Sequence, residues 1–253
     1  MPDFVGSFNQ YFDVIRAETP DLRDLAYRLR YQVYCVENAF EDPASCPGKR
    51  ETDEDDDRSV HTLLVHRQSG AVAGTARLIL PQPGSGRVLP IERILRAARP
   101  RMLRLPLQHA GEVSRFAVAR EFRRRRSEIR QVDAGFAGPR HDPGAAEKRL
   151  MPHITFGLIR GILAICLDYD ITLLAAVMEP ALLRILARLG LDFAPWGPLV
   201  QYHGLRQPCA AEIAGLIRGA RERYGLLWQY VEADVATIAP PPPPGALAIR
   251  RAG

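Results

Sequence analysis

Apolar side chains recur every three to four residues in several parts of the chain, which is typical of helices that bury one face. The clearest run follows Thr19 and Pro20, a helix start signal, and places Leu22, Leu25 and Leu29 on one side. Another run lies between a proline and a glycine, residues that favour the start and the end of a helix. On these grounds we predict helices over residues 21–36, 91–98, 152–167, 181–189 and 210–234.

Other segments alternate between apolar and polar residues or are continuously apolar, as strands are. Residues 61–67 and 71–80 flank the turn sequence Gln-Ser-Gly and predict a β-hairpin. Residues 112–119 alternate imperfectly, and residues 171–178 form a continuous apolar run typical of a strand covered on both faces. Residues 191–202 are strand-like but are interrupted by prolines and a glycine.

The predicted order is helix, hairpin, strand, helix, strand, helix, strand, helix. Because both hairpins and strand–helix–strand units occur, we expect one mixed α/β domain with helices on both faces of its sheet. We assign residues 1–234 to this domain. Residues 235–253 include five consecutive prolines and are expected to form a disordered tail.

The basic excess consists almost wholly of arginine. The net charge is +5, and of the 34 lysine and arginine residues only Lys49 and Lys148 are lysines. Arginine binds carboxylates and phosphates through its planar fork, so this excess favours a phosphate-bearing partner, although codon bias explains it equally well. Aromatic residues do not interleave the arginines at 123–126, and we therefore predict no nucleic-acid partner.

Several classes of protein are excluded by the pattern. The most apolar stretch, residues 154–178, is interrupted by charged residues, so no transmembrane segment is predicted. The N-terminus lacks the basic and apolar regions of a signal peptide. Neither the four cysteines nor the six histidines have metal-ligand spacing. We expect a cytoplasmic protein with no metal site and no tightly bound cofactor.

Familiar nucleophile and phosphate-loop motifs are absent from the sequence, so catalysis would rely on carboxylates, arginines and backbone groups. Four segments combine such residues. They contain Arg30, Tyr34 and Phe40 in RLRYQVYCVENAF, Asp53 and Asp56 in ETDEDDD, Arg77 in GTARLIL, and Glu112, Ser114, Arg115 and Phe116 in GEVSRF.

These segments resemble the acyl-homoserine-lactone synthase family of the GNAT superfamily of N-acyltransferases, over about residues 10–225. That family carries Arg-x-x-x-Phe with a later Trp, Asp-x-x-Asp, an Arg ending a strand, and Glu-x-Ser-Arg-Phe. This chain departs from the pattern at Tyr34, in place of Phe, and at Phe40, in place of Trp. Its second half, including YHGLRQP, is more similar to acyltransferases associated with the PEP-CTERM/exosortase protein-sorting system and to long-chain N-acyl amino acid synthases.

The resemblance implies a GNAT-like (acyl-CoA N-acyltransferase) fold, with a central mixed, mostly antiparallel sheet and helices on both faces. Two parallel strands, residues 112–119 and 171–178, would splay apart at its middle. A phosphopantetheine arm would enter there, and free backbone N–H groups would hold the thioester oxygen.

The resemblance also implies a catalytic set of Glu112, Ser114 and Arg115. Glu112 is the candidate base that takes the proton of the attacking amine, directly or through a water molecule. A structural ion pair with Arg115 or Arg77 is the alternative role for Glu112. Arg115 either orients a substrate carboxylate or pairs with the loop aspartates.

The acceptor pocket is expected to combine a salt-bridged cluster with aromatic side chains, although an acidic run such as residues 51–57 usually forms a solvated loop. The substrate-binding residues implied are Arg30, Tyr34, Phe40, Asp53, Asp56, Arg77 and Phe116. Other apolar residues line an acyl tunnel or belong to the plain core. They are Phe156, Leu158, Ile162, Leu173, Ala175 and Trp196.

A site for the carrier and its phosphopantetheine arm is expected at Val118 and at the start of the following helix, where N–H groups favour a phosphate. Many members of the superfamily have a glycine-rich loop here, whereas this chain has four arginines. The difference favours an acidic acyl carrier protein over coenzyme A, with a solvated basic face as the alternative. The arginines are Arg123, Arg124, Arg125 and Arg126.

We therefore predict an N-acyltransferase that moves a fatty acyl group from an acyl carrier protein or coenzyme A thioester to the amine of an amino acid or related small molecule. One alternative is an acyl-homoserine-lactone synthase that uses S-adenosylmethionine. The other is a non-catalytic module that binds an acyl carrier.

Overall fold

Eight strands of the described residues form one mixed sheet, in a computed structural model that describes residues 4–98, 109–123, 151–202 and 204–224. The strand order is β1-β2-β3-β4-β5-β8-β6, and β7 pairs with β8. The strands are β1 (Phe12–Arg16), β2 (Ser59–His66), β3 (Ala71–Ile79), β4 (Ala110–Val118), β5 (Leu173–Met178), β6 (Ala194–Pro195), β7 (Val200–Gln201) and β8 (Leu205–Glu212).

Helices cover both faces of this sheet. The helices are α1 (Phe4–Tyr11), α2 (Pro20–Tyr31), α3 (Pro90–Ala98), α4 (Arg120–Arg123), α5 (Met151–Asp168), α6 (Pro180–Arg188) and α7 (Ile213–Tyr224). A π-helical turn over Gln32–Glu37 extends α2. The Thr19 hydroxyl accepts a hydrogen bond from the N–H of Leu22 at 3.3 Å and fixes the start of α2.

The two faces bury separate apolar clusters. On one face α5 crosses β1, β2 and β3 and packs with α1, α6 and α7; we call this the α5 face. On the other, α2 packs on Leu63, Val65 and Val72, and α3 packs on Ile79 and Ala175; we call this the α3 face. The predicted mixed sheet with helices on both faces is therefore confirmed.

The parallel pairing between β4 and β5 is short. It runs from Ala110 opposite Leu173 to Val113 opposite Ala176 and then stops, whereas β4 continues to pair with β3. The two strands therefore separate beyond Val113, as the predicted splay requires.

The C-terminal half contains a strand where the sequence indicated none. Residues 205–212 form β8, so the predicted helix over residues 210–234 is wrong at its start; α7 begins at Ile213. Pro208 has no N–H to donate to a neighbouring strand. Its carbonyl accepts a hydrogen bond from the N–H of Trp196 at 2.9 Å, so the side of Pro208 without a donor faces the two-residue strand β6. Helix α1 and strand β1 were also not predicted. The predicted tail, residues 235–253, lies outside the described residues.

Candidate active site

The gap between β4 and β5 opens into a cavity of about 740 Å³ with two chemically different walls. On the α5 face the wall is apolar and includes Phe116, Val118, Ile159, Met178, Leu182 and Leu186. On the α3 face the wall is polar and includes Asp53, Arg77, Arg93, Glu112, Ser114 and Arg115. An amphiphilic ligand therefore fits the cavity, with its chain on one side of the sheet and its polar group on the other.

A β-bulge at Arg115 shapes the polar wall. Thr75 pairs with Ala117 and Arg77 with Ser114, so β4 has one extra residue at this point. Arg115 adopts a φ of +48°, a region that non-glycine residues rarely occupy and that recurs at functional sites. Because of the bulge, Ser114 and Arg115 both direct their polar atoms to the α3 face, although neighbouring residues of a regular strand point to opposite faces.

The Arg30 guanidinium is fully buried beneath the polar wall and contacts two carboxylates. Its Nε donates to Glu51 Oε2 at 2.6 Å, and its two terminal nitrogens donate to the Asp56 carboxylate at 2.6 and 3.0 Å. His61 Nε2 lies 3.1 Å from Asp56 Oδ1. Arg30 is thus a structural support of the cavity, since it is absent from the lining residues.

Two further arginines complete this cluster from the side of the sheet. Arg77 donates to Asp53 at 2.5 Å, to Asp56 at 2.9 Å and, through Nε, to the Ser114 hydroxyl at 3.0 Å. Arg115 pairs with Glu51 at 3.0 Å and with Asp53 at 2.9 Å. The predicted salt-bridged cluster is present, and Arg115 belongs to it.

Three carboxylates balance the three arginines of the cluster. Burial alone would raise the pKa of Asp56, but hydrogen bonds from His61 and Arg30 and the charges of Arg30 and Arg77 lower it below its ordinary value. The pKa values of Glu51 and Asp53 are also lowered, because the neighbouring arginines outweigh burial. The expected solvated loop is wrong for part of this run, since Glu51 and Asp55 are only 3% exposed, whereas the side chains of Glu54 and Asp57 are 71% and 63% exposed.

Sequence reasoning missed two members of the cluster. Glu51 lies in the acidic run, and charge balance is the signal that could have found it, because Arg30, Arg77 and Arg115 outnumber the two predicted aspartates. His61 is the other; burial lowers its pKa more than Asp56 raises it. The imidazole is therefore neutral at neutral pH.

Glu112 lies in the polar wall without a salt bridge to the cluster arginines, which pair with the acidic loop instead. Its Oε2 accepts a hydrogen bond from the backbone N–H of Ile91, at the start of α3, at 2.8 Å. Burial raises the pKa of Glu112 to about 7. A carboxyl group that titrates near neutral pH is suited to take up and return a proton.

The predicted aromatic residues surround the mouth of the cavity. The Tyr34 hydroxyl donates to the backbone carbonyl of Phe116 at 3.2 Å, and burial raises the pKa of Tyr34 to about 12. The Phe40 ring lies 6.3 Å from the Tyr34 ring and is 42% exposed while lining the cavity. Tyr34 and Phe40 thus form an aromatic wall between cavity and solvent.

The predicted carrier site is described only in part. Val118 and Arg123 line the cavity, and Arg123 forms an ion pair with the buried carboxylate of Glu37. Arg124, Arg125 and Arg126 lie outside the described residues. The residues suggested for an acyl tunnel do not line the cavity, and all six are buried in the apolar clusters or packed against them. Their alternative assignment to the plain core is the correct one.

None of the helices in residues 4–98, 109–123, 151–202 and 204–224 combines the length and hydropathy of a membrane span. The same residues contain no cluster of three His, Cys, Asp or Glu side chains arranged to bind a metal ion.

Comparison with known proteins places the geometry in a family context. Residues 29–131 match the acetyltransferase (GNAT) domain, a segment that contains the acidic cluster and Glu112. No curated protein sequence matches the chain.

Solved structures share the fold, among them the acyl-homoserine-lactone (AHL) synthases LasI and BjaI. LasI is 20% identical, with a TM-score of 0.56 over 82% of this chain and 94% of LasI. TofI, in a ternary complex with an inhibitor and MTA, is 19% identical, with a TM-score of 0.58 over 85% of this chain and 99% of TofI. BjaI, a CoA-dependent acyl-homoserine-lactone synthase solved with SAM and isopentyl-CoA, is 19% identical, with a TM-score of 0.54 over 95% of this chain and 93% of BjaI. The structures supply the fold and the domain match supplies the enzyme class: the chain is an acyltransferase with the GNAT fold.

Proposed function

We propose that the protein transfers a fatty acyl group from a thioester to the amine of an amino acid or related small molecule. The cavity supports this reaction because its apolar wall suits an acyl chain and its polar wall suits a charged acceptor. The observation that carries the proposal is the position of Glu112, a buried carboxyl with a pKa of about 7 in the polar wall.

In the proposed step the acceptor nitrogen attacks the thioester carbonyl carbon. A C–N bond forms, the C–S bond breaks, and Glu112 takes the amine proton directly or through a water molecule. The same proton then neutralises the departing thiolate, so Glu112 returns to its starting state. The hydrogen bond from the N–H of Ile91 keeps one carboxylate oxygen occupied, which leaves the other for the proton transfer.

We propose an acyl carrier protein or coenzyme A as the source of the thioester. BjaI is a CoA-dependent synthase, and Arg123 supplies one cation beside the cavity of this chain. Membership of the PEP-CTERM/exosortase-associated subgroup stays a prediction from the sequence. A cytoplasmic location likewise stays a prediction.

The proposal is tested by mixing the protein with acyl carrier protein and coenzyme A thioesters of several lengths and a pool of amino acids, followed by mass spectrometry. S-adenosylmethionine is added as a separate acceptor, because BjaI was solved with SAM. We expect an N-acyl amide whose formation requires one of the two donors. If no donor yields an amide, the proposed function is wrong.

Two substitutions at Glu112 separate catalysis from folding. Glu112→Gln keeps an oxygen that accepts from the N–H of Ile91 but removes the base, so we expect a folded protein with turnover at least about a hundredfold lower. Glu112→Ala removes the base and also the oxygen that accepts from the N–H of Ile91, so it should also destabilise the start of α3. Full turnover in Glu112→Gln would exclude Glu112 as the base.

A further inference from the structure

The segment YHGLRQP begins after β7 with Tyr202 and continues into β8, which contains Leu205 to Pro208. Val200 pairs with Arg206 across the hairpin, and the N–H of Tyr202 donates to the carbonyl of Gly204 at 2.8 Å. Gly204 has a φ of +95°, a conformation that favours glycine. Tyr202 and Arg206 both line the cavity.

Arg206 lies on the same face of the sheet as Glu112. Ala175 stands opposite Glu112 in β4 and points to the α3 face, as does Val177. Side chains alternate along a strand, so Glu179, the next residue but one, points to that face as well. The Glu179 carboxylate forms an ion pair with Arg206 at 3.0 Å. The guanidinium is therefore on the polar side of the cavity.

Arg206 differs from the other arginines of the cavity in how it is held. Each of the other four pairs with at least one carboxylate whose side chain is less than 10% exposed. These four are Arg77, Arg93, Arg115 and Arg123. Arg206 is only 15% exposed, but its carboxylate partner in the described residues, Glu179, is 51% exposed. An exposed partner contributes little, so a ligand carboxylate can replace it at small cost.

We propose that Arg206 binds the carboxylate of the acceptor and so selects amino acids over simple amines, an inference that rests on the proposed function. Four residues of strand, about 13 Å, separate Glu112 from the level of Glu179. An extended arginine side chain and a small amino acid together cover that span, with the amine towards Glu112. The phosphate of the acyl donor is another anion that an arginine could bind. Arg123, the arginine expected at the carrier site, lies beyond β4, on the opposite side of the gap from Arg206.

The test measures steady-state kinetics with an amino acid acceptor and with the amine that lacks its carboxylate. In Arg206→Ala we expect the KM for the amino acid to rise about tenfold or more, because a charged hydrogen bond is lost. The KM for the simple amine and for the acyl donor should stay unchanged, as should kcat. Arg206→Lys keeps the charge but loses the fork, so its KM for the amino acid should rise less; it also serves if Arg206→Ala does not fold.

Arg184→Ala is the matched control, since Arg184 is an exposed arginine of α6 that does not line the cavity. It should leave all three KM values unchanged. An equal rise in KM for both acceptors, or a rise for the donor alone, would overturn the assignment of Arg206. The wild type separates the two hypotheses: no amide with any acceptor contradicts the proposed function, whereas amide formation with unaltered selectivity in Arg206→Ala contradicts only this inference.

Discussion

Glu112 is set apart from the other carboxylates of the site by its partner. The acids of the loop pair with guanidinium groups, whereas Glu112 accepts a hydrogen bond from the N–H of Ile91. Desolvation therefore dominates and favours the neutral acid. The same chemical group is thus a fixed anion in one part of the wall and a titrating acid in another.

This difference predicts the pH dependence of the reaction. The base form of Glu112 disappears as the pH falls through about 7, so kcat at saturating substrate should fall about tenfold per pH unit below that value. The measurement is kcat between pH 5.5 and 8.5. A flat profile across neutral pH would contradict the assignment.

Stability gives an independent readout of the same residue. A pKa raised in the folded state means that Glu112 favours folding below pH 4.5 and that this contribution is lost as the pH rises through about 7. The free energy of unfolding of the wild type relative to Glu112→Gln should therefore fall by up to about 3 kcal/mol across this window. Denaturant titrations at several pH values measure it without any substrate.

The buried cluster predicts a second effect at the residue scale. Asp56→Asn leaves Arg30 and Arg77 with one carboxylate too few in a buried site, so we expect a loss of about 3–5 kcal/mol in the free energy of unfolding. The lowered pKa of Asp56 means that its contribution is present at neutral pH and is lost in acid, below about pH 4.

The exposed pair of Asp13 with Arg67 supplies the control, since Asp13 and Arg67 have side chains that are 28% and 52% exposed. Asp13→Asn should cost no more than about 1 kcal/mol. Similar losses from the two substitutions in urea unfolding would show that burial does not strengthen the cluster.

The sequence located the motif residues of the site but not their environment. Arg77, Glu112, Ser114 and Arg115 were expected together, and the structure brings them to one wall. The burial of Glu51 was missed because it depends on arginines supplied by α2 and β4, which are distant in sequence. Local pattern carries no signal for such a long-range contact.

At the scale of elements, helix α5 depends on two glycines for its close approach to the sheet. A Cβ atom at Gly161 would lie 2.1 Å from the Thr62 hydroxyl oxygen and 3.0 Å from a methyl carbon of Val14. A Cβ atom at Gly157 would lie 2.6 Å from the Phe8 ring. The helix therefore packs closely against side chains of α1, β1 and β2, with no room for a further methyl group at either position.

We expect Gly161→Ala to lower the free energy of unfolding by about 1–3 kcal/mol, because the added methyl group must displace α5 or β2. Gly215→Ala in α7 is the matched control. Nothing lies within 4 Å of its added Cβ, so this variant should be stabilised by about 0.5–1 kcal/mol through helix propensity. Thermal unfolding of the two variants compares them, and a neutral Gly161→Ala would contradict the close packing.

Elements with strong local signals were predicted well and those made by pairing were not. Helix α2 has a capping threonine and a regular apolar face, and the β2–β3 hairpin has Gly70 at a φ of +63° in its turn. Strand β8 contains Pro208, small residues and few β-branched side chains. It is a strand because β5 offers it a continuous ladder from Leu173 to Met178.

At the scale of the whole molecule, the two halves of the sheet supply different residues to the cavity. The half with strands β1 to β4 carries Glu112 and the arginine cluster, with Arg77 on β3, Arg115 on β4 and Arg30 on α2. Strands β5 and β8 and helix α6 supply Met178, Arg206 and Leu186. Four residue pairs of β4 and β5 join the halves. The proposed reaction takes place at this junction, where both halves contribute residues to each wall of the cavity.

A sheet that separates at its centre has two open strand edges in its interior. Such edges recruit strands of other molecules and lead to aggregation unless they are interrupted. Here the bulge at Arg115 distorts one edge, and Pro180 follows the other directly after the charged residue Glu179. Neither edge offers the regular ladder that a second copy would need. The gap is therefore open to a flexible chain but protected against β-sheet association.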